Sequence, residues 1–197
     1  MTDPSMPFQA IYTTYRPRIL RYLTRLVGQS EAEDLTQHVL VKVSEGLPQF
    51  RGDSNLSTWI YRIATNTALD ELRSPHWKQT QGAACGGAMA DNDPDLDQEG
   101  TFVEEPAGSV EQDVIHGEMN QCIRDFVEHL PENYRTVMVL SELEGFTNSE
   151  IGDILGVSLP TVKIRLHRAR EKLRQDLSVG CSFHHDERSE FACDRKA

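Results

Sequence analysis

Apolar residues recur along this chain at three- and four-residue steps, without sustained period-two alternation, and that spacing predicts helices rather than strands. Tyr15, Ile19, Tyr22, Leu23 and Leu26 form one stripe. Leu35, Val39, Val43 and Leu47 form a second. It is preceded by Ser30-Glu31-Ala32-Glu33, which reads as a capping box starting a helix, and it is stopped by Pro48. After QFRGDSNLS a third helix is expected to carry Trp59, Ile60, Ile63 and Leu69, with Trp59 read as core because it lies in register with Ile63. Helical spacing then lapses and resumes near Val110. Val114, Ile123, Phe126, Val127 and Leu130 predict one helix, and Pro131, at a first helical position, opens another through Val137 and Leu140.

The pattern sharpens between Phe146 and Leu173. A short helix capped by Thr147 or Asn148, with Ile151, Ile154 and Leu155 inward, ends at Gly156, a residue suited to the left-handed backbone that closes a helix. The turn Gly156-Val157-Ser158 follows, with Val157 placed to plug the angle between two helices, and the next helix begins near Leu159-Pro160. This is a helix-turn-helix, whose second helix enters the DNA major groove. On a wheel at about 100° per residue, Val162, Leu166, Ala169 and Leu173 make its buried stripe. Ile164 points away from that stripe among Lys163, His167, Arg168, Glu171 and Arg174. An apolar side chain within a basic outward face suits a thymine methyl, with Lys163 or Arg168 reaching guanine edges or phosphates.

Charge sharpens the contrast. The chain has 31 acidic and 20 basic residues, for a formal net charge of -11. Yet Lys163 to Arg174 holds six basic residues and one acid. Plain solvation is the alternative for any basic helix face, but a capped helix, a Gly-Val-Ser turn and this local reversal of charge together point to DNA. Residues 79–113 carry no Lys or Arg and nine acids, and with QGAACGGAMA they read as a flexible linker. The expected architecture is all-α: a helical domain over 8–75, an acidic linker over 76–109, a helix-turn-helix domain over 110–177, and a tail over 178–197. No apolar run approaches the roughly 20 residues that span a bilayer, and the N-terminus shows no signal pattern, so a cytoplasmic, non-membrane protein is expected. Four cysteines (Cys85, Cys122, Cys181, Cys193) without a secretory signal argue against a disulfide framework.

With these motifs in place, the sequence resembles bacterial RNA polymerase sigma factors of the extracytoplasmic-function (ECF) group of the sigma-70 superfamily. EDLTQHVLVKVSEGLPQFRGDSNLSTWIYRIATNTALDELR is similar to the family's regions 2.2 to 2.4, and FTNSEIGDILGVSLPTVKIRLHRAREKLR to its region 4.2. The resemblance implies a protein that binds core RNA polymerase, through its β′ and β subunits, and promoter DNA, with an anti-sigma factor as a further partner. It implies that the segment with Asp34, Leu35 and Gln37 docks on the β′ coiled coil, core packing being the alternative for Leu35 and Val39. It implies that the loop at Phe50 and Arg51, with Arg62 and Asn66, reads and melts the −10 box, where polar groups read an unstacked base and cations hold the backbone. Thr161, Lys163, Ile164, His167 and Arg168 would read the −35 box. The chain departs from the family's usual residues at His38, Leu40, Pro160 and Ile164.

The tail holds Cys181, His184, His185 and Cys193, the ligand types of a tetrahedral zinc site. A zinc switch, a Cys181–Cys193 disulfide switch and incidental ligands all remain open, and some family members carry Cys-rich extensions that sense metals or redox state. No cofactor is otherwise required. The competing reading is a stand-alone helix-turn-helix regulator, which has no use for a melting module. An enzyme using His184, His185 and Asp186 lacks a phosphate loop or nucleophile–base pairing.

Overall fold

The computed structural model of the chain describes residues 8–75, 77, 126–185 and 191–195, with 182–185 and 191–195 described as backbone only. Apart from residue 77, the linker expected over residues 76–109, with Cys85, lies outside the described residues, as do Cys122 and the expected helix through Val114 and Ile123.

An N-terminal unit is built from α1 (Phe8–Val27), α2 (Gln29–Gly46) and α3 (Leu56–Arg73). Its core is the predicted stripes turned inward: Ile11, Tyr15, Ile19, Tyr22, Leu23 and Leu26 of α1 meet Leu35, Val39 and Val43 of α2 and Ile60, Ala64 and Ala68 of α3. The helix start at Ser30 is a misreading. α2 begins at Gln29, its N-cap is Gly28 at φ 84° and ψ 169°, and no side-chain cap bond forms. Glu33, expected to close the capping box, pairs instead with Arg16 of α1. That backbone region is open to glycine and nearly closed to any residue with a Cβ, so Gly28 alone joins two antiparallel helices. α2 ends at Gly46, and Leu47–Gln49, with Pro48 inside, makes one 3₁₀ turn. Trp59 and Ile63 are half-buried rather than central. Trp59 lies against Gly46 and stacks on Phe50 with ring centroids 5.1 Å apart, while Leu56, Ile60 and Ala64 fill the interior.

The C-terminal unit opens on a helical turn at residues 126–128. α4 follows over Glu132–Met138 with Pro131 as its N-cap rather than its first helical residue. Val139–Leu143 widens into a π turn, in which Glu144 N–H donates to the Val139 carbonyl at 3.1 Å. α5 (Asn148–Leu155) and α6 (Leu159–Gly180) complete the unit. α6 runs three residues past the expected end at Leu177. The tail then forms an antiparallel hairpin, β1 (Cys181–His185) with β2 (Phe191–Arg195), that periodicity did not predict.

The apolar cluster is continuous across both units, running from Leu23 and Ile60 to Val137, Leu140, Ile151 and Val162. The units touch through α1 with α4 and α3 with α5.

Candidate nucleic-acid interface

The helix-turn-helix forms as predicted and is more tightly specified than its sequence suggests. Thr147, not Asn148, caps α5. Its backbone N–H donates to Glu150 Oε2 at 2.9 Å, and Glu150 N–H donates back to Thr147 Oγ1 at 3.3 Å, which makes a reciprocal capping box. The Thr147 backbone N–H is the main reason the Glu150 carboxyl is held below its ordinary value. Burial, the next largest influence, opposes it, and bonds from the Thr147 hydroxyl and the Asn55 amide add to the lowering. Gly156 closes α5 in the left-handed region at φ 67°, ψ 32°. The turn is close: a Cβ at Gly152 would lie 3.1 Å from the Val157 carbonyl oxygen. Ser158, read from sequence only as part of the turn, is the N-cap of α6 and accepts from Thr161 N–H at 3.4 Å.

α6 is oriented as the wheel requires. Val162, Leu166 and Ala169 are buried and Leu173 packs against the same core. That fixes the opposite face. Thr161, Lys163, Ile164 and Arg168 are half-exposed and His167 is exposed, all within two turns of one another at the start of the helix. The helix thus turns a β-branched apolar group and several donors to one outward face, and Thr147 and Ser158 cap the two helices of the motif.

In the N-terminal unit the expected −10 residues sit around the start and outer face of α3. Arg51, Arg62 and Asn66 are exposed, while Phe50 is half-buried by its stacking on Trp59. Phe50 therefore shapes the loop that carries Arg51. On α2 the structure corrects one assignment. Leu35 is 6% exposed and belongs to the core, as does Val39, so Leu35 cannot present an apolar ridge to a partner. Asp34 and Gln37 are exposed on that helix, and the apolar group that faces outward with them is Val41, 55% exposed, which sequence reasoning passed over. Its signal was available: Val41 falls outside the stripe of Leu35, Val39 and Val43.

The residues that join the units were not foreseen. Glu144 follows the π turn, and its side chain is only 7% exposed. Arg25 Nη1 donates to its Oε1 at 2.9 Å and Tyr61 Oη donates to its Oε2 at 2.5 Å, so both partners come from the N-terminal unit. Tyr61 also lies edge-on to Phe146 at 4.7 Å and tilted against Tyr22 at 5.1 Å. Burial first, and the Glu144 carboxylate second, push the Tyr61 hydroxyl well above the ordinary phenol range. Beside this contact, Asn66, Leu69 and Arg73 of α3 face Leu155, Val157 and Arg165 across a cleft of about 390 Å3.

The tail's register separates its candidate ligands. Cys181 pairs with Arg195, Phe183 with Cys193, His184 with Ala192 and His185 with Phe191. By the two-residue alternation of strands, Cys181, His185 and Cys193 share one face of the hairpin and His184 falls on the other. Cys181 is buried at the end of α6. The register thus places three of the four residues on one face and His184 on the opposite one.

Among the described residues no helix is long and apolar enough to cross a membrane. Residues 11–78 match the family Sigma-70 region 2, and residues 120–173 match Sigma-70, region 4. The chain is 33% identical over 172 residues to the ECF RNA polymerase sigma factor SigW of Bacillus subtilis, covering 86% of this chain and 88% of that protein. It is 31% identical over 175 residues to the RNA polymerase sigma-H factor of Pseudomonas aeruginosa, covering 86% of each. In fold it is similar to the sigma factor RpoE of Bartonella quintana in complex with the anti-sigma factor NepR, with a TM-score of 0.63 at 24% identity over 87% of this chain and 97% of that one. It also resembles CnrH in complex with the cytosolic domain of CnrY, with a TM-score of 0.58 at 18% identity over 87% and 88% of the two chains.

Proposed function

The chain belongs to the ECF sigma factors of the sigma-70 superfamily, and from that premise we propose how its two units divide the work of starting transcription. The N-terminal unit docks on core RNA polymerase through the outward face of α2, with Asp34, Gln37 and Val41. It handles the −10 box with Arg51, Arg62 and Asn66, placed by Phe50. The C-terminal unit reads the −35 box with Thr161, Lys163, Ile164, His167 and Arg168. The observation that carries this reading is the orientation of α6. Its core stripe is buried, its mixed apolar and cationic face is turned outward, and both helices of the motif are capped, as in a helix-turn-helix whose second helix enters the major groove. Phosphate contacts by the cations would supply affinity, and base-edge contacts at Ile164 and its neighbours specificity.

The test is run-off transcription from a pool of promoter fragments with core polymerase, with and without this protein. New transcripts that depend on the protein support the reading. Tight binding to duplex promoter without core enzyme, and no transcripts, would favour a stand-alone regulator instead.

Two finer assignments accompany this reading. An anti-sigma protein is a partner of this chain, by analogy with the two solved complexes its fold resembles. The hairpin tunes activity through zinc or through a disulfide. What supports this is the placement of Cys181, His185 and Cys193 on one face, with the cysteines two register positions apart. Such diagonal positions lie about 7–8 Å apart, so the pair offers two thiolate ligands to a tetrahedral metal, and a disulfide would need the two strands to shift. A hairpin-linked effect would appear as a change in run-off yield on adding zinc, chelator or a thiol oxidant to the full chain, lost on truncation after Gly180.

A further inference from the structure

α1 is as cationic as the recognition helix. Its 20 residues hold Arg16, Arg18, Arg21 and Arg25 and no acid. α6 holds six lysines and arginines but also Glu171 and Asp176, so each helix carries a formal +4 within a chain of net charge -11. The cations of α1 are all arginines, whose planar fork matches phosphate bidentately, as the ammonium of lysine does not.

The four arginines divide by their partners. Arg16 pairs with Glu33 of α2, and Arg25 pairs with Glu144. Arg18 and Arg21 are exposed and make no ion pair or hydrogen bond among the described residues. At about 100° per residue Arg18, Arg21 and Arg25 fall within about 60° of one another, outside the buried stripe of Tyr15, Ile19 and Leu26. From Arg18 to Arg25 the helix rises about 10 Å, the span of about three phosphates of one strand at roughly 3.4 Å of axis each. The face adjoins α3 at the residues given to the −10 box. Tyr22 meets Tyr61 of α3 with ring centroids 5.1 Å apart. Arg18 lies within electrostatic reach of the Tyr61 hydroxyl, where it opposes the upward push of burial and Glu144. Arg62, exposed, is the next residue of that helix.

We propose that Arg18 and Arg21 form a second phosphate-binding face, which holds the promoter backbone beside the −10 box while α3 acts on the bases. Phosphate contacts position a protein and carry no sequence preference of their own. The role of this face is therefore register: it fixes the strand on which Arg51, Arg62 and Asn66 work. Two arginines one turn apart, without carboxylates and next to the −10 residues, favour DNA over an acidic protein surface as the occupant. This inference rests on the promoter reading above.

The test compares holoenzymes, each assembled from core polymerase and a full chain, on a promoter recovered from the run-off pool. Promoter affinity is measured across a range of salt concentrations. Arg18→Ala/Arg21→Ala should lower the slope of log affinity against log salt by about two, one for each arginine. At about 0.1 M salt it should weaken binding by roughly tenfold per arginine, equally on promoters that differ in the −10 box. Arg18→Lys/Arg21→Lys keeps both charges and should keep most of the slope. An unchanged slope in the alanine pair would overturn the proposal. So would a loss confined to certain −10 sequences, or a weaker affinity for core polymerase with the DNA slope intact, which would mark the face as a protein contact. A lysine pair as impaired as the alanine pair would trace the loss to α1 itself and overturn the phosphate role. A parent chain that recovers no promoter from the pool would overturn the promoter reading, and this face with it.

Discussion

Tyr61 and Glu144 stand 83 residues apart in the chain and share a 2.5 Å hydrogen bond, the phenol of one unit donating to the carboxylate of the other. Behind it, Thr65 Oγ1 donates to the Tyr61 carbonyl at 2.7 Å and meets Tyr22 Oη at 2.7 Å, so the contact is anchored in the interior of the three-helix unit. Tyr61→Phe keeps the ring contacts to Tyr22 and Phe146 but leaves a buried carboxylate one donor short. Bonds to charged groups are worth about 1.5–3 kcal/mol, so chemical denaturation should show a loss in that range. An unchanged midpoint would mean that water replaces the phenol without cost.

The same tyrosine gives the protein an alkaline limit. Its hydroxyl is raised by burial and by Glu144, so the fold favours the neutral form. Tyr22 is raised for the same first reason, burial, in this case opposed by its bond to Thr65. A raised folded-state value contributes stability that is complete below the unfolded phenol value, near 10, and that drains away as pH rises above it. Thermal melts should therefore fall steeply above about pH 10. Tyr61→Phe should flatten that fall by roughly one proton's worth of slope, and Tyr22→Phe should do likewise. A fall of equal slope in parent and variants would point to lysine or backbone effects instead.

The acidic side tests the helix-turn-helix. Glu150 is held below its ordinary value chiefly by the Thr147 backbone N–H, so its contribution is present above the unfolded carboxylate value and is lost as pH falls through the lowered one. Thr147→Ala removes the other half of the box and should cost about 0.5–2 kcal/mol at neutral pH. Because the carboxylate then loses its hydroxyl partner, the variant should also show a weaker acid dependence. Parallel acid titration curves for the two proteins would show that Glu150 holds its proton affinity through other groups.

Gly28 is the least replaceable joint in the N-terminal unit. At φ 84° and ψ 169° it occupies a region that costs a residue with a side chain about 1–3 kcal/mol, although a Cβ there would meet nothing within 4 Å. Gly28→Ala should therefore destabilise by that amount through backbone strain alone. Ser30→Ala should be nearly silent, because the Ser30 box does not form. If the two effects were reversed, the helix would start where the local sequence suggested.

These two positions show where sequence reading works and where it stops. Val162, Leu166 and Ala169, Gly156 and the Thr147 cap were legible because each depends on neighbours within a turn or two, and periodicity and local hydrogen bonding encode such contacts directly. Ser30-Glu31-Ala32-Glu33 is an equally good local signal, but Arg16 of α1 takes Glu33, and the tight Gly28 joint sets the helix start. Leu35 shows the strength of the pattern: the stripe with Val39 and Val43 marked it as core, and the structure buries it there. The Glu144 contact was invisible, because it needs a π turn at Val139–Leu143 and partners from α1 and α3 that only the packing of the two units supplies. The hairpin was missed because its strands are five residues each and carry little alternation.

On α6, adjacent turns should separate folding from recognition. Leu166 is 3% exposed and seated in the core with Val162 and Ala169, so Leu166→Ala should cost about 2–5 kcal/mol of stability as a cavity-forming truncation. Arg168 is half-exposed on the opposite face, two positions along. Arg168→Ala should leave the melting curve close to the parent's and weaken promoter-dependent transcription by about 1–3 kcal/mol if the guanidinium reads a base edge. The two roles of a cation are distinguishable across a panel of −35 variants. Loss confined to some sequences marks base readout, whereas uniform loss with a shallower salt dependence marks a phosphate contact. Equal activity of Arg168→Ala and parent on every promoter, together with an unchanged melt for Leu166→Ala, would mean that α6 presents a different face to DNA.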